Sequence, residues 1–358
     1  MPRKARYTVT VRINGKKKYF YGKTKSEAVY KRDAYTAAIN DFPLIDEKIT
    51  LAEWVDAWLE SMRNSITPNT YRSYRSVLSR NLFKSPCGNI LLSELKPTHF
   101  RIYQQKMIDK GLSPRTINYF HTVISASLKQ AVYDGVIPSN PLLAVRRVKQ
   151  HRQEAKALTE DQIKAFFEHV ASPVMERIFS FALQTGMRRS EILGLRWADI
   201  DFQKKTASVN QTVLAINGKS AEISETTKTK SSRRTISLSD GLMDLLKKQR
   251  VYFLELQMTL GTTNKCDLVF PSRILTPLAP DNVSRDAKKT FRAAGLPEFT
   301  FHSFRHTHAT YLIEQGINFK IVQYRLGHSN YSTTMDIYSH VTPGMDYDAA
   351  VIAAKMIK

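Results

Sequence analysis

Residues 301–340 read FHSFRHTHATYLIEQGINFKIVQYRLGHSNYSTTMDIYSH, and four of them, His302, Arg305, His328 and Tyr338, are of kinds that phosphate chemistry uses. His302 and Arg305 stand three residues apart, which puts both on one face of a helix. His328 closes a Leu-Gly-His triplet, and Tyr338 is the tenth residue after it. A phenol ordinarily titrates near about pH 10, so a tyrosine nucleophile needs a strongly cationic setting. The rest of the chain is read for the groups that would supply that setting.

Composition already leans that way. Lys and Arg number 54 against 32 Asp and Glu in 358 residues, a formal charge of +22 with pI near 9.9. Such an excess repels itself unless it meets a polyanion, so it points to nucleic acid. Hydrophobic content of 42% is ample for buried cores, and the length allows about two or three domains. The two cysteines, Cys87 and Cys266, are far apart and in no metal-binding spacing. That fits a reducing cytosol without a disulfide framework. The first residues, MPRKARYTVTVRING, hold no apolar signal core, and no run of about 18 apolar residues follows. The expectation is a soluble, non-secreted protein without a membrane partner.

Residues 1–47 read as a small α+β module. Tyr7, Val9, Val11 and Ile13 alternate with Thr8, Thr10 and Arg12, the period-two pattern of a strand. Asn14-Gly15 is a strong hairpin turn signal, with a return strand over 17–21. Thr24-Lys25-Ser26-Glu27 is a capping box that opens a helix running to about Asn40. The hairpin carries Arg12, Lys16, Lys17, Lys18, Tyr19 and Tyr21. A two-stranded ribbon fits a DNA major groove and these residues could neutralise phosphates, the plainer alternative being a solvated basic hairpin.

Residues 48–147 read as helical throughout. Thr50 and Glu53 cap a helix with an apolar stripe of Leu51, Val55, Trp58, Leu59 and Met62. Thr67-Pro68, Lys96-Pro97 and Ser113-Pro114 each place Pro at a first helical position. The second helix turns Tyr71, Tyr74, Leu78 and Leu82 inward and Arg72, Arg75 and Arg80 outward. The fourth buries Ile117, Phe120, Ile124, Leu128 and Ala131. Short connections make this a bundle, with its aromatic residues in the core. The polar stretch 148–157 (VKQHRQEAKA) reads as a linker to a third domain, 158–358, that begins at the capping box Thr159/Gln162. There the pattern predicts helices over about 160–171 and 173–185, a strand-rich stretch over 199–238, and helices from 239 onward. Breaks are expected at Leu268-Val269-Phe270 and Thr276-Pro277. The predicted fold class is mainly α with small β elements (α+β).

Cutting a phosphodiester without a metal requires a nucleophile in line, positive charge at the non-bridging oxygens, and a proton donor at the leaving oxygen. Thr185-Gly186-Met187-Arg188-Arg189-Ser190-Glu191 supplies an arginine where one helix ends and another begins. Two guanidiniums, Arg188 and Arg305, can grip one phosphate through planar paired donors, which lysine cannot imitate. A further basic run, Thr226-Thr227-Lys228-Thr229-Lys230-Ser231-Ser232-Arg233-Arg234, lies between strands.

In this order, the Thr-Gly-x-Arg-x-x-Glu segment with its apolar continuation Ile192-Leu193-Gly194-Leu195-Arg196-Trp197, the lysine hairpin, His-x-x-Arg, Leu-Gly-His and the terminal Thr333-Thr334-Met335-Asp336-Ile337-Tyr338 resemble the tyrosine recombinases, the integrases of phages and conjugative transposons. The resemblance covers the whole third domain. It implies that Arg188 and Arg305 are the catalytic arginines and that Glu191 supports Arg188, with Arg189 and Arg196 outside the catalytic set. It makes His302 an assistant in proton transfer, His328 a hydrogen-bond donor to a phosphate oxygen, and Tyr338 the nucleophile. Lys228 aligns as general acid for the 5′ leaving group, with Lys230 as the alternative because polar hairpins fix register weakly. Lys230 and Arg233 join Arg72, Arg75 and the hairpin residues as candidate DNA contacts. The usual Leu between His302 and Arg305 is Phe304 here. Tyr324 and Tyr331 compete with Tyr338 but lack its context. The product would be a 3′-phosphotyrosine and a free 5′ hydroxyl, a covalent link that conserves the bond for rejoining.

The first two units look like the arm-binding domain and the helical, SAM-like core-binding domain of such integrases. The implied partners are double-stranded DNA at core and arm sites, a homotetramer on that DNA, and accessory excision or DNA-bending proteins. No cofactor and no metal are implied, and the implied place is the bacterial cytoplasm at the nucleoid. The tail around 348–355 reads as a short helix, packed either on a neighbouring protomer or on its own domain. Three other readings fare worse. A metal hydrolase would use His302, His306, His308, His328 and His340, but no His-Glu-x-x-His arrangement or cysteine pair is present. A DNA-binding protein without catalysis would not need a full catalytic set. A type IB topoisomerase-like activity shares the first step but needs no arm-binding module.

Overall fold

The structure is a computed structural model that describes residues 7–13, 16–41, 48–150, 156–216, 220–224, 233–263 and 265–327. Lys228, Lys230, His328, Tyr331, Tyr338, His340 and the tail at 348–355 lie outside the described residues. The chain divides into two compact units, Met1–Arg152 and Gln153–Lys358. Its fold is mainly α-helical with small antiparallel sheets.

In the first unit, β1 (Tyr7–Ile13) and β2 (Lys16–Gly22) pair antiparallel, in register from Tyr7↔Gly22 to Ile13↔Lys16. That register leaves two residues for the turn, as Asn14-Gly15 requires. Helix α1 (Lys25–Asp41) covers one face of the ribbon. The Phe20 and Tyr35 ring centroids lie 5.2 Å apart, and the Lys18 ammonium donates to the Tyr35 hydroxyl at 2.7 Å. Lys17, Tyr19 and Tyr21 are exposed, and Arg12 is the register partner of Lys17. Of the predicted DNA contacts in the hairpin, Lys18 is therefore engaged with α1, while Lys17, Tyr19 and Tyr21 face solvent.

The bundle consists of α2 (Leu51–Ser61), α3 (Pro68–Asn81), α4 (Pro97–Asp109) and α5 (Pro114–Tyr133). Thr50 caps α2 reciprocally: its hydroxyl accepts from Glu53 N at 3.3 Å, and Glu53 Oε2 accepts from Thr50 N at 2.9 Å. Leu51, Val55, Leu59, Leu78, Phe120, Ile124 and Leu128 are fully buried or nearly so. Burying each such side chain contributes about 2 kcal/mol. Trp54 Nε1 ties α2 to α5 by donating to Ser127 O at 3.0 Å. Tyr71 and Tyr74 are only half-buried: the Tyr71 hydroxyl donates to the Glu60 carboxylate, and Tyr74 stacks on Trp58 with centroids 6.2 Å apart. Arg75, expected to point outward, has a side chain 44% exposed, pairs there with Asp56 and lies over the Phe83 ring. Arg72 donates to Asn69 Oδ1 at 2.6 Å. The polar stretch from 148 starts out held by the bundle, because the Asn118 amide brackets both the N–H and the carbonyl of Val148.

The second unit begins with α6 (Glu160–Glu168), α7 (Pro173–Thr185) and the one-turn α8 (Arg189–Gly194). Helix α6 is shorter than expected, since Ser172 caps α7 and residues 169–172 form the connection. The strand-rich stretch resolves into two small sheets. One is β3 (Ile200–Asp201), β4 (Thr206–Val209) and β7 (Arg234–Ser237), in that order and antiparallel; the other is β5 (Thr212–Ile216) with β6 (Ser220–Ser224). Helices α9 (Asp240–Leu260), α10 (Pro280–Ala293), α11 (Phe301–Glu314) and α12 (Phe319–Leu326) follow. The predicted break at 268–270 is a fully buried segment in which Leu268 bridges to Arg196.

Phe304 explains its own departure from leucine. Its ring packs against Phe166 of α6, Phe179 of α7 and Phe291 of α10, with centroids 5.1, 5.8 and 5.4 Å away. Those aromatic contacts lock the buried face of α11. The neighbouring positions 302 and 305 are thereby fixed in direction.

Candidate active site

Helix α7 ends at Gly186, which is left-handed at φ 66°, and its carbonyl is turned inward. A Cβ at Gly186 would stand 2.5 Å from the His308 ring and 2.8 Å from Leu326, so close approach as well as conformation demands glycine. The chain then places Arg188 at the start of α8. Glu191 turns back to it: Oε2 accepts from Arg188 N at 2.8 Å and Oε1 from Nη1 at 2.9 Å. Arg188 Nη2 donates to Gly327 O at 3.1 Å.

Arg305 comes from α11 and is 4% exposed. It donates through Nη1 to Gly186 O and through Nη2 to Leu326 O, each at 2.7 Å. Arg188 and Arg305 thus end on adjacent carbonyls, while a guanidinium carries five N–H donors. Burial, with the nearby charge of Arg188, pushes Arg305 down to about 9, and Glu191 opposes that shift. The guanidinium stays charged at neutral pH. Burial alone would raise the Glu191 carboxyl. The bond and charge of Arg234, followed by Arg188, reverse this and hold it below the usual carboxylate range.

His302 lies in the first turn of α11. Its side chain is exposed at the mouth of the site, and partial desolvation, then the charges of Arg305, His306 and Arg188, hold its imidazole below the ordinary value. Arg188, Arg189, His302 and Arg305 line one cavity of about 450 Å³, together with Ser190, Ser284, Lys288, Thr300, Met187 and Phe301. No carboxylate lines it among the described residues. Such a cavity suits an anion. Arg189 pins α10 beside it, bonding Ser284 Oγ and lying 3.7 Å from Asp281.

The structure brings Arg188, Glu191, His302 and Arg305 together, and it leaves Arg233 exposed just before β7. Two sequence competitors are otherwise engaged. The Tyr324 hydroxyl donates to Thr235 O at 3.2 Å and sits 3.4 Å from Thr235 N, capping β7. His308 has both ring nitrogens in use, Nδ1 with Leu183 O at 2.9 Å and Nε2 with Arg325 Nε at 3.2 Å. Among the described residues, no three His, Cys, Asp or Glu side chains gather as a metal site, and no helix is long and apolar enough to cross a membrane.

Sequence reading missed Lys288 and Arg234. The signal for Arg234 was present: with Ile236 and Leu238 it follows period two, so it sits on the buried face of β7, where its side chain is 1% exposed. Nothing in the sequence singled out Lys288 from the other cations of α10.

Known proteins resemble this chain along most of its length. The sequence profile of the phage integrase family matches residues 156–345, and that of the phage integrase N-terminal SAM-like domain matches residues 50–108. The chain is 33% identical to a tyrosine recombinase XerC-like protein of Caldanaerobacter subterraneus, over 94% of this chain and 93% of that one. It is 27% identical to the ICEBs1 integrase of Bacillus subtilis, over 83% and 80% of the two chains. Among solved structures, the Tn1549 transposon integrase in complex with a circular intermediate DNA superposes with TM-score 0.73 at 21% identity, covering 85% of this chain and 99% of that one. The lambda integrase tetramer bound to a Holliday junction gives TM-score 0.62 at 20% identity, covering 92% and 91%. The chain belongs to the phage integrase family. It is a tyrosine-type site-specific recombinase, an enzyme of DNA integration and recombination.

Proposed function

We propose that this recombinase integrates and excises a mobile element through a 3′-phosphotyrosine on Tyr338, in a site built from Arg188, Lys228, His302, Arg305 and His328. The observation that carries the assignment is the convergence of Arg188, Arg305 and His302 on one cavity. In the reaction the Tyr338 oxygen attacks the scissile phosphorus and the bond to the 5′ oxygen breaks. His302 receives the phenolic proton, and Lys228 (or Lys230) protonates the leaving 5′ oxygen. The two guanidiniums meet the charge that builds on the non-bridging oxygens, each such donor supporting about 3 kcal/mol of transition-state stabilisation. His328 adds a hydrogen bond there. Attack by a 5′ hydroxyl of another strand reverses the sequence and rejoins the DNA without ATP.

Double-stranded DNA is the partner, held at core sites by residues 48–147 and 158–358 and at arm sites by the hairpin module of residues 1–47. The charge of +22 supports phosphate-dominated binding. The exposed Lys17, Tyr19 and Tyr21 form the arm-facing surface of the ribbon, and Arg12, Lys16 and Lys18 are proposed to add phosphate contacts by their charge. Arg72, Arg75, Lys230 and Arg233 add core-site phosphate contacts. Lambda integrase forms dimers on a core site and a tetramer on a Holliday junction, and a homotetramer on DNA is the assembly proposed here, in the bacterial cytoplasm at the nucleoid. Accessory excision or DNA-bending proteins would set its direction. Tyr338→Phe is expected to bind a duplex from its element's ends with unchanged affinity and to form no covalent adduct. An adduct formed by that variant, in a denaturing gel, removes Tyr338 from its role.

A further inference from the structure

Three consecutive carbonyls at the end of α12 are each taken by a different arginine. Arg234 Nε donates to Arg325 O at 2.7 Å, Arg305 Nη2 to Leu326 O at 2.7 Å and Arg188 Nη2 to Gly327 O at 3.1 Å. The last carbonyls of a helix lack intrahelical partners and form its electronegative end. Two of these arginines line the cavity, and Arg234 does not. Its remaining nitrogens grip Glu191, Nη2 on Oε2 at 2.8 Å and Nη1 on Oε1 at 3.3 Å. Gly327 is left-handed at φ 65°, and a Cβ there would lie 2.7 Å from Arg234 Nη1. The guanidinium therefore fills the space against which the chain turns toward residue 328.

A buried ion pair is weak support for stability, since apolar groups of similar volume serve as well. The sequence nevertheless keeps Arg234 on a face shared with Ile236 and Leu238. Charge gives a reason: Glu191 alone would cancel Arg188, whereas Arg234 balances Glu191 and leaves Arg188 in excess. Geometry gives a second: the same side chain sets the end of α12 on which both cavity arginines rest.

We propose that Arg234 is a positioning residue of the recombination reaction, clamping Glu191 to the end of α12 so that Arg188 and Arg305 meet the scissile phosphate at a fixed spacing. This rests on the roles assigned above to Arg188 and Arg305. Arg234 itself touches no phosphate and acts through its neighbours.

The test compares single-turnover cleavage and equilibrium affinity on a nicked duplex carrying the end of the protein's own element. Arg234→Met should cleave about 100-fold more slowly at saturating DNA, with affinity within about threefold of the parent. Arg234→Lys can still neutralise Glu191 but cannot also reach the Arg325 carbonyl, and should remain at least about tenfold slow. The double variant Glu191→Gln/Arg234→Met removes both charges and should stay slow, because the clamp is still missing. Arg196→Met, which breaks the Arg196–Asp199 pair away from the cavity, should lose stability and keep its cleavage rate. A folded Arg234→Met that cleaves at the parental rate overturns the proposal, as does recovery in the double variant. If Arg234→Met does not fold, a parental rate for Arg234→Lys is equally decisive against it. Arg188→Ala in the same assay separates the two levels: if it too cleaves normally, the site assignment fails, and if it is inactive while the Arg234 variants are normal, only the clamp fails.

Discussion

The helical bundle of α2–α5 and the interior around α8, α11 and α12 are held together by opposite means. In the bundle, the buried polar side chains among the described residues are Ser85, His121 and Ser127, and the rest of the core is apolar. Around α8, α11 and α12 lie Glu191, Arg234, Arg305 and His308, all under 9% exposed. Apolar burial is sufficient to fold a unit, and buried charge seldom improves on it. The difference teaches where stability has been given up for chemistry. The second unit gathers three arginines and one glutamate at a single helix end, where the proposed reaction needs fixed positive charge.

If that contrast is real, substitutions should separate into those that stop the reaction and those that only loosen the fold. Arg188→Ala should leave the protein folded and lower the cleavage rate by about 10² to 10³, measured as single-turnover adduct formation. A parental rate would mean that the buried charge serves the fold alone. Gly186→Ala should cost about 3 kcal/mol, from the left-handed backbone and from collision with the His308 ring, read as a drop in urea midpoint.

Acid should weaken the second unit through His308. Burial, with Arg325 beside it, depresses its imidazole to about 4. Between about pH 6.5 and pH 4 the unfolded chain binds a proton that the folded protein refuses. Stability is therefore complete above about 6.5 and falls by about 1.4 kcal/mol per pH unit as the pH drops toward 4. His308→Asn should flatten that slope in urea titrations at pH 7 and pH 5. The smallest effect belongs to the bundle: Thr50→Ala removes the cap of α2, costs about 1 kcal/mol in thermal unfolding and leaves the cleavage step unchanged.

The same contrast governs what could be read from sequence. The bundle was legible because its instructions are local: Thr50 with Glu53, and Pro at positions 68, 97 and 114, each mark a helix start within four residues. Arg188, His302 and Arg305 were legible because their spacing forms recognisable segments. For Arg234 only the buried face was legible, from period two; its bonds were not, because its partners Glu191 and Arg325 are 43 and 91 residues away. Arg75 does face outward, but its ion pair was not legible, for a related reason. Its partner Asp56 is on a different helix, and helical periodicity reports a face without reporting the neighbour that covers it.

The reaction is defined by where the DNA becomes attached. Trapping the protein on a nicked duplex from its element's end, digesting it, and sequencing the nucleotide-bearing peptide by mass spectrometry measures this directly. The predicted result is a single phosphotyrosyl peptide with the nucleotide on Tyr338. An adduct on Tyr324 or Tyr331, or cleavage that leaves no linked peptide, would contradict it.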